Sequence, residues 1–125
     1  MSYLIVFLGG GIGSALRFGV NRLSLALFGT GFPAGTLFVN VVGSALMGLA
    51  VGWLGSRSSG EHSLQLFLTT GILGGFTTFS AFSLEAVALW QRGDQLAAGL
   101  YVLASVAASV GGILIGLAFM RTLAA

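Results

Sequence analysis

The residues best suited to chemistry lie in one stretch, residues 69–83, with the sequence TTGILGGFTTFSAFS. It is a poor helix, because adjacent glycines each cost about 1 kcal/mol relative to alanine. The threonines that follow also offer the backbone competing hydrogen bonds. We therefore expect a helix break between Gly74 and Thr78. Carbonyl groups freed at such a break can bind a cation, since hard cations take oxygen ligands.

Two phenylalanines follow the expected break. Phe79 and Phe82 are three residues apart, so they share a face if the helix resumes. A phenyl ring has a positive edge, and ring edges beside hydroxyl and amide donors suit a small anion. The nearby donors are Thr77, Thr78, Ser80, Ser83 and the side-chain amide of Asn40. Phenylalanines at this spacing also occur in ordinary cores and on lipid-facing surfaces, and that alternative stays open.

A second polar pattern lies near the carboxyl end. Tyr101, Ser105 and Ser109 are four residues apart, so they form one stripe on a helix. The stripe predicts either interhelical hydrogen bonds, worth about 0.6 kcal/mol each on average, or a row of donors along a pore wall.

Arg17 and Glu85 are charges placed inside apolar segments. An unpaired charge there costs at least about 2.5 kcal/mol, so Arg17 must face protein, water or a partner. It either bonds to backbone carbonyls or to Glu85, which makes it structural, or it attracts an anion at a vestibule.

The elements that must position these residues are membrane helices. Of the 125 residues, 56% are hydrophobic and 6% are charged, and the mean hydropathy is +1.02. A soluble domain carries about a quarter charged residues. This composition excludes soluble enzymes, nucleic-acid-binding proteins and disordered tails, and the absence of cysteine excludes disulfides and thiol nucleophiles. We expect the first apolar stretch to remain in the mature protein.

A bilayer core of about 30 Å needs about 20 apolar residues per helix, and polar segments divide the chain into four pieces of that length. We predict an all-α integral membrane protein with one domain, 1–125, and a broken third helix. The predicted helices cover residues 3–28, 36–54, 63–91 and 95–120.

The arginines do not favour either orientation in the membrane. Arg57 and Arg121 lie on one side, and Arg92 and, if it reaches outward, Arg22 lie on the other. A chain without a preferred orientation can insert both ways and pair as an antiparallel, dual-topology homodimer. Glycines spaced by four favour close helix packing, either within one subunit or at an additional subunit interface. These pairs are Gly9 with Gly13, Gly48 with Gly52, Gly71 with Gly75, and Gly112 with Gly116.

Three glycine-containing segments, in this order and at this chain length, resemble the Fluc (CrcB) family of fluoride channels. They are GGGIGSALRF (9–18), GTLFVNVVG (35–43) and GILGGFTTFSAFS (71–83). The resemblance implies an antiparallel homodimer of four-helix subunits in the bacterial inner membrane. Two pores would pass fluoride passively out of the cytoplasm. The expected partners are fluoride, sodium, membrane lipid and a second copy of the chain, without nucleic acid.

The resemblance also implies roles for single residues. Phe79 and Phe82 correspond to pore phenylalanines whose ring edges face the ion, and Asn40 to a pore asparagine. Gly74 and Thr77 correspond to residues whose backbone carbonyls, from both subunits, hold a structural sodium ion. The hydroxyl groups expected beside the path belong to Ser80, Ser83, Tyr101, Ser105 and Ser109, and the vestibule or structural residues are Arg17, Thr36 and Glu85. Position 81 is alanine, where many members have threonine.

Two other interpretations remain open at this point. A small multidrug exporter, which couples protons to cations, has the same size and helix number, but it should carry a carboxylate in its first helix. Arg17 stands there instead, which leaves Glu85 as the only substitute. The second alternative is a structural subunit without a path of its own. An enzyme is least favoured, since the spans offer one acid and no histidine or cysteine.

Overall fold

The computed structural model describes residues 1–55 and 62–124. The predicted loop between the second and third spans, with Arg57, lies outside the described residues. The helices are α1 (Ser2–Phe28), α2 (Ala34–Gly55), α3 (His62–Gln65), α4 (Gly74–Phe76), α5 (Phe79–Gln91) and α6 (Gln95–Ala124). A π-helical segment, Leu66–Leu73, joins α3 to α4.

The described residues form four spans that are long and apolar enough to cross a membrane: Ser2–Phe28, Ala34–Gly55, His62–Gln91 and Gln95–Leu123. The third span consists of α3, the π-helical segment, α4 and α5. Large apolar side chains point outward, among them Phe7, Phe18 and Leu96. Such exposure suits lipid, since lipid tails are as apolar as leucine. The prediction of an all-α, multi-pass membrane protein is confirmed.

Glycines let α1 lie directly against the first half of the third span. A Cβ on Gly9 would lie 2.8 Å from the carbonyl oxygen of Phe67, and one on Gly75 would lie 2.5 Å from that of Gly10. A Cβ on Gly13 would overlap the carbonyl oxygen of Ile72. Real Cβ atoms do not approach backbone so closely, so the contact between these two spans requires glycine.

Close packing at glycines also joins α2 to α6. A Cβ on Gly48 would overlap the carbonyl oxygen of Ile113, and one on Gly116 would lie 2.6 Å from that of Ala45. The two spans pack along most of their lengths. All four glycine pairs of the sequence therefore make contacts inside one subunit, and their spacing gives no separate argument for a subunit interface.

The third span changes conformation near its middle. The helix ends at Phe76, and Thr77 (φ −89°, ψ 158°) and Thr78 (φ −153°, ψ 124°) are extended. Helix resumes at Phe79, where the Thr78 hydroxyl caps α5 by accepting a hydrogen bond from the Ala81 N–H at 3.1 Å. Two extended residues leave backbone groups without helical partners at this depth, and these must be satisfied by other elements.

Candidate functional site

Asn40 of α2 binds the extended backbone of the third span. Its Nδ2 donates to the carbonyl oxygen of Thr78 at 3.0 Å, and its Oδ1 accepts from the Thr78 N–H at 2.8 Å. One side-chain amide thus bonds to both backbone polar groups of Thr78. Asn40 was predicted to be a donor beside the path, but no pattern in the sequence indicated Thr78 as its partner.

A cavity of about 270 Å³ lies beside this interaction. Three spans contribute to it: α2, the third span around its extended residues, and α6. Its lining combines hydroxyl and amide groups with two phenyl rings and two valines. The lining residues are Asn40, Ser44, Thr77, Thr78, Phe79, Phe82, Ser105, Val106, Ser109 and Val110. Polar groups and phenyl rings that are far apart in the sequence are therefore brought together at one place.

The two phenylalanines of this cavity have different surroundings. Phe82 is 7% exposed, whereas Phe79 is 76% exposed, although their ring centroids are only 5.4 Å apart. Phe82 also lies 5.2 Å from the ring of Tyr101, and Tyr101 meets Phe32 edge-on at 5.4 Å. The rings form a continuous row that begins at the open side of the subunit and ends at the loop between α1 and α2.

The serine stripe of α6 faces the cavity. Ser105 and Ser109 line it, and their hydroxyl groups are buried without a hydrogen-bond partner among the described residues. An unpaired buried hydroxyl is costly, so these donors are available to a ligand or to water. Tyr101, the first member of the stripe, is fully buried and lies next to the cavity without lining it.

Tyr101 connects to a second cavity of about 330 Å³ through Glu85. The tyrosine hydroxyl donates to Glu85 Oε1 at 3.3 Å, and Glu85 and Thr36 both line that second cavity. Thr36 is 1% exposed, and its hydroxyl also lacks a partner among the described residues. Glu85 and Thr36 thus line a different cavity from Phe82, and Tyr101 contacts both Phe82 and Glu85.

Arg17 does not pair with Glu85. Its Nε donates to the carbonyl oxygen of Gly75 at 3.0 Å, at the end of the helical segment that precedes the extended residues. A positive charge is favourable at the carboxyl end of a helix. Of the two structural possibilities left open by the sequence, the backbone carbonyl is the one observed.

Gly74 is the first residue of α4, and Thr77 directly follows its last residue. Gly74 is exposed, and a Cβ there would meet only the carbonyl oxygen of Thr69, at 3.4 Å. Thr77 is partly buried, and its hydroxyl donates back to the Leu73 carbonyl at 3.1 Å. The described residues contain no cluster of three or more histidine, aspartate or glutamate side chains.

The remaining two serines are less closely associated with the cavity. Ser80 is exposed and lies 3.3 Å from the Thr78 hydroxyl, and Ser83 is partly buried on α5. Neither lines the first cavity. Ser44 does line it and was missed, although its position one helical turn after Asn40 was a usable signal.

The four apolar spans and the polar, ring-lined cavity among them define a multi-pass membrane protein with a candidate ion site at membrane depth. The chain belongs to the CrcB family: residues 4–117 match the family described as "CrcB-like protein, Camphor Resistance (CrcB)". This family match favours neither of the alternatives left open by the sequence, the small multidrug exporter and the structural subunit.

Similarity to known relatives extends over nearly the whole chain. It is 54% identical to the "Fluoride-specific ion channel FluC" of Methylobacterium nodulans, over 97% of both chains. It is 50% identical to the protein of the same name from Rhodopseudomonas palustris, over 98% of this chain and 99% of the relative. A third relative with this name, from Novosphingobium aromaticivorans, is 54% identical over 95% of both chains.

Proposed function

We propose that this protein is a fluoride-selective ion channel that lets fluoride leave the cytoplasm passively, down its gradient. The observation that carries the proposal is family membership over residues 4–117 together with 50–54% identity to proteins named fluoride-specific ion channels. The protein is a channel and not an enzyme. We place it in the bacterial inner membrane, where a passive leak lowers cytoplasmic fluoride and so lowers its toxicity.

The proposed path runs through the first cavity. Phe79 and Phe82 offer ring edges, and Asn40, Ser105 and Ser109 offer polar groups around the same space. Ser80, Ser83 and Tyr101 extend the polar surroundings along α5 and α6. Fluoride is small and strongly hydrated, so a narrow path must present several donors at once while releasing the ion again. The unpaired hydroxyl groups of Ser105 and Ser109 support this assignment.

The proposed assembly is an antiparallel homodimer with two pores. Phe79, which lines the cavity but is 76% exposed, supports a partner on that side. Since the chain has no cysteine, a single reporter cysteine can be introduced at Ser2 and probed in native membranes. Dual topology predicts that an impermeant maleimide labels about half of the copies from the periplasmic side. Labelling of nearly all or nearly none would contradict it.

We further propose that the backbone carbonyls of Gly74 and Thr77, from both subunits, hold a structural sodium ion. The exposed position of Gly74 and the extended backbone at Thr77 support this, since a partner copy can approach there. Removing sodium should weaken fluoride flux or the dimer. Unchanged flux and unchanged dimer stability in rigorously sodium-free medium would refute the site.

The experiment that tests the function is fluoride efflux from liposomes, read with a fluoride electrode, with chloride efflux as the selectivity control. The wild type should release fluoride rapidly and chloride hardly at all. Phe82→Ile and Phe79→Ile should slow fluoride release strongly. Phe7→Ile is the matched control, since Phe7 is 75% exposed, much as Phe79 is, but lies on α1 away from the cavity. Absence of fluoride flux from folded protein, or equal loss in all three variants, would refute the proposal.

A further inference from the structure

The second cavity lies at one face of the membrane. Its walls are the last turns of α1 and α5 and the first turn of α2. Between these helix ends run the loop 29–33 and the loop 92–94, and residues of both loops line the cavity: Gly29, Thr30, Phe32, Pro33 and Arg92. The cavity therefore lies where the helices leave the bilayer, in contrast to the first cavity at the middle of the third span.

A short chain of contacts connects the two cavities. Phe82 lines the first, packs on Tyr101 at 5.2 Å, and Tyr101 donates to Glu85, which lines the second. One buried ring pair and one hydrogen bond thus link the linings of the two cavities. An anion that enters the second cavity lies beside Glu85, and a carboxylate repels an anion. A compensating positive charge is required near that point if the second cavity is part of the path.

Among the residues that the structure describes, Arg92 is the only basic one that lines the second cavity. Its guanidinium donates to the carbonyl oxygens of Thr30 at 3.4 Å and Gly31 at 2.9 Å. It also lies 3.3 Å from Asp94, and both side chains are about half exposed, at 46% and 55%. Asp94 itself does not line the cavity. The loop carbonyls hold the guanidinium at the opening, where water and ions from the bulk first meet the protein.

We propose that Arg92 is the anion-attracting residue at a second mouth of the fluoride path, the cavity lined by Thr36, Glu85 and Arg92. The inference rests on the proposed channel function and assigns a role in anion attraction to Arg92. Its charge offsets Glu85 and raises the local fluoride concentration. Asp94 weakens this attraction, because it partly neutralises Arg92 from outside the cavity. Screening by salt must reduce both effects, since exposed charges lose their influence beyond a Debye length.

The contacts of Arg92 with Thr30, Gly31 and Asp94 are also those of a residue that holds the two loops together. The two roles predict different behaviour in three variants. Arg92→Gln removes the charge, Arg92→Lys keeps the charge but loses the forked geometry, and Asp94→Asn keeps an acceptor for Arg92 but removes the competing negative charge. If Arg92 attracts anions, Arg92→Gln should slow fluoride efflux and Asp94→Asn should speed it up. If Arg92 only holds the loops together, both variants should slow fluoride efflux.

The test measures initial fluoride efflux from liposomes and the unfolding temperature for the wild type and the three variants. At about 10 mM ionic strength, Arg92→Gln should slow efflux about threefold, Arg92→Lys should stay close to the wild type, and Asp94→Asn should accelerate efflux about 1.5-fold or more. At about 300 mM, where the Debye length is below 10 Å, all rates should converge. Ionic strength is set with an impermeant organic electrolyte.

Three results would overturn the assignment: equal loss for Arg92→Gln and Arg92→Lys at both ionic strengths, slower efflux for Asp94→Asn, or unchanged rates in all variants. A lower unfolding temperature in the first case would identify loop holding as the role. If the proposed channel function itself is wrong, the wild type releases no fluoride, and this result is distinct from the three above.

Discussion

Asn40→Ala tests how the extended residues of the third span are held in place. The wild-type side chain makes two hydrogen bonds to the Thr78 backbone, at 3.0 and 2.8 Å, and both are partly buried. The alanine variant removes the Asn40 partner from both the N–H and the carbonyl oxygen of Thr78. Because Phe79 and Phe82 follow directly on the chain, a displaced Thr78 also displaces the rings that line the cavity.

The expected loss of folding free energy in Asn40→Ala lies between two limits. Hydrogen bonds between side chains in membrane proteins average about 0.6 kcal/mol, which gives about 1 kcal/mol for two. Leaving buried polar groups unpaired costs about 1–3 kcal/mol each, which gives up to about 6 kcal/mol. Water can enter the adjoining cavity and partly satisfy both groups, so we expect about 2 kcal/mol, a change of roughly 30-fold in the folding equilibrium.

The assay is reversible unfolding in mixed micelles, combined with fluoride efflux from liposomes. Ser44→Ala is the matched control, since Ser44 lies one turn further along α2 and lines the same cavity without a hydrogen bond to the described residues. Asn40→Ala should lose about 2 kcal/mol and most of its flux, whereas Ser44→Ala should change stability by less than about 0.5 kcal/mol. An equal loss of stability in both variants, or none in Asn40→Ala, would refute the reasoning.

Two further substitutions test the packing and the second cavity. Gly13→Ala places a methyl group onto the carbonyl oxygen of Ile72 and should prevent stable folding. Gly11→Ala is the control and should behave as the wild type, because a Cβ there has nothing within 4 Å. Thermal unfolding of the two purified variants distinguishes them, and equal unfolding temperatures would contradict the packing. Tyr101→Phe removes the hydroxyl that donates to Glu85 but keeps the ring, so it should cost about 1 kcal/mol and slow fluoride efflux; unchanged efflux and stability would show that this hydrogen bond is not used.

Much of the fold could be predicted from the sequence because the membrane imposes simple rules. Apolar stretches of about 20 residues must be helices, since only helices satisfy their own backbone in lipid. The predicted spans 3–28 and 95–120 correspond to α1 and α6, which are Ser2–Phe28 and Gln95–Ala124. Local composition also indicated where the third span would be weak, because glycine and threonine act on the backbone of their own segment.

The sequence also indicated which residues share a helical face. Ser105 and Ser109 line one cavity, and the rings of Phe79 and Phe82 lie 5.4 Å apart. Helical periodicity fixes such relations, because residues three or four apart are neighbours on any helix. Periodicity alone does not say which neighbouring helix that face meets.

The partners across helices were decided by the tertiary structure. Asn40 reaches a residue 38 positions away, Arg17 bonds to a carbonyl 58 positions away, and Arg92 reaches the loop after α1. Composition suggested Glu85 as a possible partner of Arg17, but Glu85 accepts from Tyr101 instead. Each pairing depends on the depth and rotation of whole helices, which close glycine contacts set at the level of single atoms. Those contacts form only when the four spans pack together, so no local pattern in the sequence could specify them.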